Sequence, residues 1–122
     1  MKTILVVDDS SAIRMAIRRV IEALGFAVAE AADGQRALDY IKTHGTPDAI
    51  LLDIDMPVMD GLTCLKALRQ DRTLDQARVV ICTTHNSVEK IQQALASGAN
   101  EYIMKPFDTE IIKAKLEMVD ML

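Results

Sequence analysis

The sequence predicts a doubly wound α/β domain: a five-stranded parallel sheet of strand order 2-1-3-4-5 with five helices on its two faces. Three observations carry this. Short apolar runs alternate with stretches in which apolar residues recur at helical spacing. The alternation repeats five times with short connections and no internal repeat or linker. Strands that alternate with helices form parallel sheets through right-handed crossovers, which leaves few strand orders, and 2-1-3-4-5 is a common one for a chain of 122 residues. The chain reads as one domain, residues 1–122.

The elements follow in order. Thr3–Val7 (TILVV) is a continuous apolar run, as in a strand covered on both faces. Ser10 and Ser11 are N-cap residues for a helix whose buried stripe is Ile13, Ile17, Val20, Ile21 and Leu24, closed by Gly25. Ala27–Ala31 is a weaker strand. Asp33 and Gly34 turn the chain into a helix carrying Leu38 and Ile41. Ala49–Leu52 is a strong strand running into Asp53. A loop with Pro57, Asp60 and Gly61 leads to a helix marked by Leu62, Leu65 and Leu68. Val79–Cys82 is the fourth strand. Asn86 and Glu89 form a capping box ahead of Val88, Ile91 and Leu95, and Gly98 closes that helix. Glu101–Met104 is the fifth strand, and Asp108 opens a last helix with Ile112, Leu116 and Val119 on one face.

Composition narrows the function. Half of the residues are hydrophobic, enough for a core that needs neither disulfides nor a structural metal. The net charge of −4, with no long basic cluster, argues against nucleic-acid binding. Arg14, Arg18 and Arg19 read as a solvated helix face. The start of the chain lacks the long apolar stretch of a secretory signal, and no run reaches membrane-spanning length. Cys64 and Cys82, without CxxC spacing, read as reduced packing residues of a cytoplasmic chain.

Sheets of this type bind ligands beyond the carboxyl ends of their strands. There the sequence places Asp8 and Asp9, Asp53 with Asp55 two residues on, Thr83 and Thr84, and Lys105. Each has a plain explanation alone: a cap, a turn, a loop hydroxyl, a surface charge. Together they put several carboxylates, a hydroxyl and an ammonium around one point. Clustered carboxylates repel one another, and a hard divalent cation such as Mg²⁺, which prefers oxygen ligands, relieves the conflict. The set suits charge stabilisation of phosphoryl transfer, with Lys105 and the Thr83 hydroxyl on phosphoryl oxygens.

VVDDSS, LLDIDMPVMDG, the threonines after the fourth strand and IMKPF together resemble the response-regulator receiver family over the whole chain. The segment from CTTHN to GANEYIMKPFD is similar to CheY-like single-domain chemotaxis regulators, of flavodoxin-like architecture. The resemblance implies a two-component phosphorelay in which Asp53 is the nucleophile. It would take phosphate from a CheA-like histidine kinase, a phosphotransfer protein or a small donor such as acetyl phosphate. Asp9 and Asp53 would ligate Mg²⁺ directly, Asp8 largely through water, and Asp55 through its backbone carbonyl. Lys105 would pair with the acyl phosphate, Thr83 would move toward it, with Thr84 beside it, and Tyr102 would swing inward. The family's Lys-Pro bond is usually cis, which makes Lys105–Pro106 the candidate.

Two positions depart from the best-known chemotaxis pattern. Asp55 stands where asparagine is common and His85 where glutamate is common, so both are candidates for tuning dephosphorylation. A histidine at that position would make the rate depend on pH near neutrality. The resemblance implies a monomer that catalyses only its own phosphorylation and dephosphorylation. Its output would be a protein-binding face around Lys90, Lys105 and Tyr102, possible partners including a flagellar motor switch protein, while the first helix near Ser10 and Arg14 would face the kinase. Two alternatives carry less weight. Asp53-Ile54-Asp55 resembles the DxD motif of haloacid-dehalogenase-type phosphatases, but on the third strand and followed by Pro57. A receiver-like binding module that is never phosphorylated would not need the full acidic set.

Overall fold

The computed structural model describes residues 1–84 and 88–122. Strands β1 (Thr3–Val7), β2 (Ala27–Ala31), β3 (Ala49–Asp53), β4 (Arg78–Thr83) and β5 (Glu101–Met104) alternate with helices α1 (Ser11–Ala23), α2 (Gly34–His44), α3 (Gly61–Gln70), α4 (Val88–Ala96) and α5 (Thr109–Met118). All pairings are parallel, in the order β2-β1-β3-β4-β5.

Successive strand residues point to opposite faces, and the core divides accordingly. Leu5, Val7, Ile50, Leu52, Val79 and Ile81 face α2, α3 and α4, meeting Ala37, Leu65, Leu68 and Ala94. Ile4, Val6, Leu51, Val80 and Ile103 face α1 and α5, meeting Ile17, Ile21, Ile112 and Leu116. Each buried aliphatic side chain contributes about 1.5–3 kcal/mol, so the two layers hold the sheet with few aromatics. Cys64 in α3 and Cys82 in β4 are both free and buried in the core.

The helix starts follow the caps. Side chains of Ser10, Asp33, Asp60 and Asp108 each accept a hydrogen bond from the backbone N–H three residues on. The capping box at Asn86 lies outside the described residues. Strands β3 and β4 run further than the apolar runs suggested, taking Asp53 and Thr83 into the sheet.

Three expectations need correction. In α4 the stripe that docks runs through half-buried Ile91 and buried Ala94, whereas Val88 and Leu95 are exposed. At about 100° per residue, those two side chains lie at the edge of that stripe. The arginines of α1 are not a solvated face: Arg14 and Arg18 both pair with Glu30 on the neighbouring strand β2, at 3.0 and 2.7 Å. Arg19 alone of the three is exposed. Finally, Val119 is buried as expected but caps α5 rather than continuing it.

Arg69 was not singled out by the sequence. Its guanidinium donates to the carbonyls of Gly98, Leu74 and Ala77 and to Asn100 Oδ1, at 2.8–3.0 Å. It thereby ties α3 to the turn before β4 and to the loop entering β5. Arg69→Ala is expected to cost about 2–4 kcal/mol, because charged donors to part-buried carbonyls are lost together. A urea unfolding curve with a lowered midpoint and unchanged slope is the expected result; an unshifted midpoint refutes it.

Candidate functional site

Parallel strands all deliver their carboxyl ends to one rim, and four ends meet here. Asp8 follows β1, Asp53 ends β3, Thr83 ends β4, and Lys105 follows β5. Asp8, Asp53 and Thr83 are buried, whereas Asp9 is exposed. Carboxylate oxygens of Asp8, Asp9 and Asp53 lie within 4.8 Å of one another. Lys105 Nζ reaches in to 2.6 Å from Asp8 Oδ2 and 3.6 Å from Asp53 Oδ1.

The two buried acids are held differently. Asp8 accepts from the Ser10 N–H on Oδ1 and from Lys105 on Oδ2. Asp53 Oδ1 accepts a long 3.3 Å bond from the Asp55 N–H. Burial pushes the Asp53 carboxyl up to about 6, with Asp8 and Asp9 adding to the rise against the opposing pull of Lys105. For Lys105, burial works against the charge, but the hydrogen bond to Asp8 and the field of Asp53 outweigh it and hold the ammonium above its ordinary range. Cys82, beside Asp53 in the strand register, is pushed up to about 12 by burial and stays a neutral thiol.

The remaining residues take separate places. Asp55 is exposed and lines a shallow groove with Asp60, Leu62, Lys90 and Gln93. Thr84, also exposed, lines an apolar groove with Ile13, Ile17, Pro106 and Phe107. The backbone carbonyl of Thr83 accepts the Lys105 N–H at 2.8 Å, linking the ends of β4 and β5. Tyr102 is half-buried on β5 with Lys115 Nζ 4.5 Å from its ring centroid. The Lys105–Pro106 peptide is cis. His85 lies outside the described residues.

Sequence reasoning placed Arg14 on a solvated, kinase-facing helix and missed its contact with the site, where its Nη1 donates to the backbone carbonyl of Asp8. A signal existed. A cation close behind a helix N-terminus opposes the helix dipole and so needs another reason to be there.

Three hard oxygen donors on one point, one of them penalised by burial and like charge, fit a small divalent cation better than a soft metal.

A doubly wound sheet with a buried acid–lysine cluster at its carboxyl rim offers donors for a divalent cation and a charge for an anion, the equipment of a phosphoryl-handling class of domain. Comparison narrows it, for residues 4–117 match the response regulator receiver domain. The chain belongs to that family, the phosphorylation-activated members of two-component signalling systems. It is 39% identical over 108 residues to the chemotaxis protein CheY of Bacillus subtilis, covering 88% of each chain. With chemotaxis protein CheY1 of Helicobacter pylori it shares 35% identity, covering 95% of this chain and 94% of that one. The solved structure of chemotaxis protein CheY4 of Vibrio cholerae superposes with a TM-score of 0.91 at 35% identity over 98% of both chains. Family membership leaves no place for the haloacid-dehalogenase reading.

Proposed function

We propose that Asp53 is the phosphoacceptor of a chemotaxis-type receiver domain, and that its acyl phosphate switches a protein-binding surface. The observation that carries this is the convergence of three carboxylates and one ammonium from separate stretches of the chain on one point. An Asp53 oxygen attacks the phosphorus of a phosphohistidine or of acetyl phosphate, the bond to the leaving group breaks, and an acyl phosphate forms. With its carboxyl near 6, Asp53 is mostly ionised at neutral pH and so able to attack.

Asp8, Asp9, Asp53 and the backbone carbonyl of Asp55 are the residues that would hold Mg²⁺. When bound, the ion supplies neutralisation of charge on the phosphoryl oxygens. Lys105 exchanges part of its contact with Asp8 and Asp53 for a phosphoryl oxygen, and the Thr83 hydroxyl donates to another. Phosphorylation replaces one carboxylate charge by about two and adds acceptor oxygens, which biases α4 and β5 through Thr83. Tyr102, facing Lys115, reports the state. Thr84 flanks the phosphoryl site, and Asp55 and His85 set the rate at which water removes the phosphate. The donor is a CheA-like histidine kinase or a phosphotransfer protein. The similarity to chemotaxis proteins supports chemotaxis as the pathway. A flagellar motor switch protein is one output partner of this reading. The domain catalyses only its own phosphorylation and dephosphorylation, as a cytoplasmic monomer of one domain.

The test is labelling by acetyl phosphate. Wild type is expected to gain one phosphoryl group only when Mg²⁺ is present, and Asp53→Asn to gain none. Equal labelling of the two, or labelling unaffected by chelation, removes the proposal.

A further inference from the structure

The acidic edge of the site is anchored from the side of α1. The Arg14 side chain is 16% exposed, and its guanidinium serves two groups at once. Nη1 donates to the Asp8 backbone carbonyl, and Nε pairs with Glu30 Oε1 at 3.0 Å. Glu30 is held in turn on its other oxygen by Arg18 Nε at 2.7 Å, and the Arg18 guanidinium, ahead of that of Arg14, keeps the Glu30 carboxyl below the usual carboxylate range. On its amide side, Asp8 donates to the Ala31 carbonyl of β2 at 3.1 Å. The Asp8 backbone is therefore held by β2 through its N–H and by Arg14 through its carbonyl, which belongs to the peptide leading into Asp9.

We propose that Arg14, oriented by Glu30, is a positioning residue that fixes the β1–α1 junction carrying Asp8 and Asp9 and thereby sets the affinity of the site for a divalent cation. This rests on the reading of Asp8, Asp9 and Asp53 as a metal site. Arg14 does not touch the metal; it acts through the backbone of Asp8. Its sign is what makes the role testable. A cation near an acidic site repels a second cation, so a purely electrostatic Arg14 weakens metal binding and its removal tightens it. A positioning Arg14 does the opposite, because the carboxylates lose their alignment when it goes.

The experiment is a Mg²⁺ titration of the metal-free chain, followed by the amide resonances of Asp9 and Ile54. Arg14→Ala is expected to raise the Mg²⁺ Kd about tenfold, the scale seen for residues that orient metal ligands without touching the metal. Glu30→Gln, which keeps the side-chain shape, is expected to raise it about threefold. Arg18→Ala breaks the other half of the Glu30 pairing without reaching Asp8, and is expected to stay within about twofold of wild type.

An unchanged or tightened Kd in Arg14→Ala overturns the inference. So does an equal loss in Arg18→Ala, which would mark a general loosening of α1. If Arg14→Ala does not fold, Arg14→Lys decides: it keeps the charge, but a single ammonium cannot hold the Asp8 carbonyl and Glu30 in the same fork. An unchanged Kd in that variant also overturns the inference. A wild-type chain that gives no response at millimolar Mg²⁺ instead refutes the metal site beneath it.

Discussion

Gly61→Ala is expected to destabilise the domain by about 3 kcal/mol or more and to slow labelling of Asp53 by at least about tenfold. A Cβ at this position would stand 2.1 Å from the backbone oxygen of Asp53 and 2.7 Å from Ile54 Cα. These are backbone atoms at the end of β3, not the tips of flexible side chains, so they cannot swing aside. Gly61 also donates its N–H to the Ile54 carbonyl at 2.8 Å, which holds the start of α3 against the strand. Room for a methyl group can come only from lifting α3 away or from pushing Asp53 out of line with Asp8 and Lys105. The first lowers stability, and the second lowers the rate. Gly25 is the control. Its φ of +97° makes alanine there strained by about 1–2 kcal/mol, but nothing lies within 4 Å of the added Cβ, so labelling should keep its wild-type rate. Urea unfolding and a labelling time course measure both. A Gly61→Ala chain with wild-type stability and rate would show that α3 does not press on the acceptor strand.

In the absence of Mg²⁺ at neutral pH, Asp53→Asn is expected to be more stable than wild type, although it abolishes labelling. The Asp53 carboxyl rises from 3.8 to about 6 on folding, chiefly through burial, so the folded state holds the proton more tightly than the unfolded chain does. Below 3.8 both states carry the proton and Asp53 imposes no penalty. As pH climbs from 3.8 through 6 the folded state loses ground, and above 6 the penalty is complete. Its size is on the order of 2–3 kcal/mol, and asparagine removes it because an amide carries no charge to bury. In a domain of this size that is a rise of roughly 5–10 °C in Tm. The gain should vanish near pH 4, and it should shrink when Mg²⁺ is added, since a bound cation stabilises the wild-type carboxylate cluster more than the variant. Thermal unfolding at pH 4 and pH 7, with EDTA and with Mg²⁺, tests each arm. An Asp53→Asn chain less stable than wild type in EDTA at pH 7 contradicts the burial argument.

Much of the fold was legible because its signals are local. Apolar runs such as Ile4–Val7 and Ala49–Leu52 report strands covered on both faces, and Ser10, Asp33 and Asp108 mark helix starts through bonds that span three residues. Residues at the ends of parallel strands share a rim by construction, which is why the sequence alone groups Asp8, Asp53, Thr83 and Lys105. Where the reading failed, the cause lay far along the chain. Helical period alone could not say that α4 would dock on Ala94 and leave Val88 and Leu95 exposed, since that depends on how the helix meets the sheet. Arg69 and Arg14 looked like ordinary charges because their partners lie in other elements. Val58 has φ of 68°, a left-handed backbone that its branched side chain disfavours, and only the path of the loop between β3 and α3 requires it.

The sequence by itself determined the order of strands and helices, the single sheet they build, and which strand ends carry acid, hydroxyl and ammonium. Those follow from periodicity, caps and the parallel connection rule, each of which acts over a few residues. The tertiary structure alone decided that Lys105 sits closer to Asp8 than to Asp53, that burial and charge lift the Asp53 carboxyl, and that Arg14 and Glu30 brace the Asp8 backbone. Such distances result from strand register and helix approach summed over the whole core, and an electrostatic balance at a few ångströms shifts with changes too small for any pattern of residue types to encode.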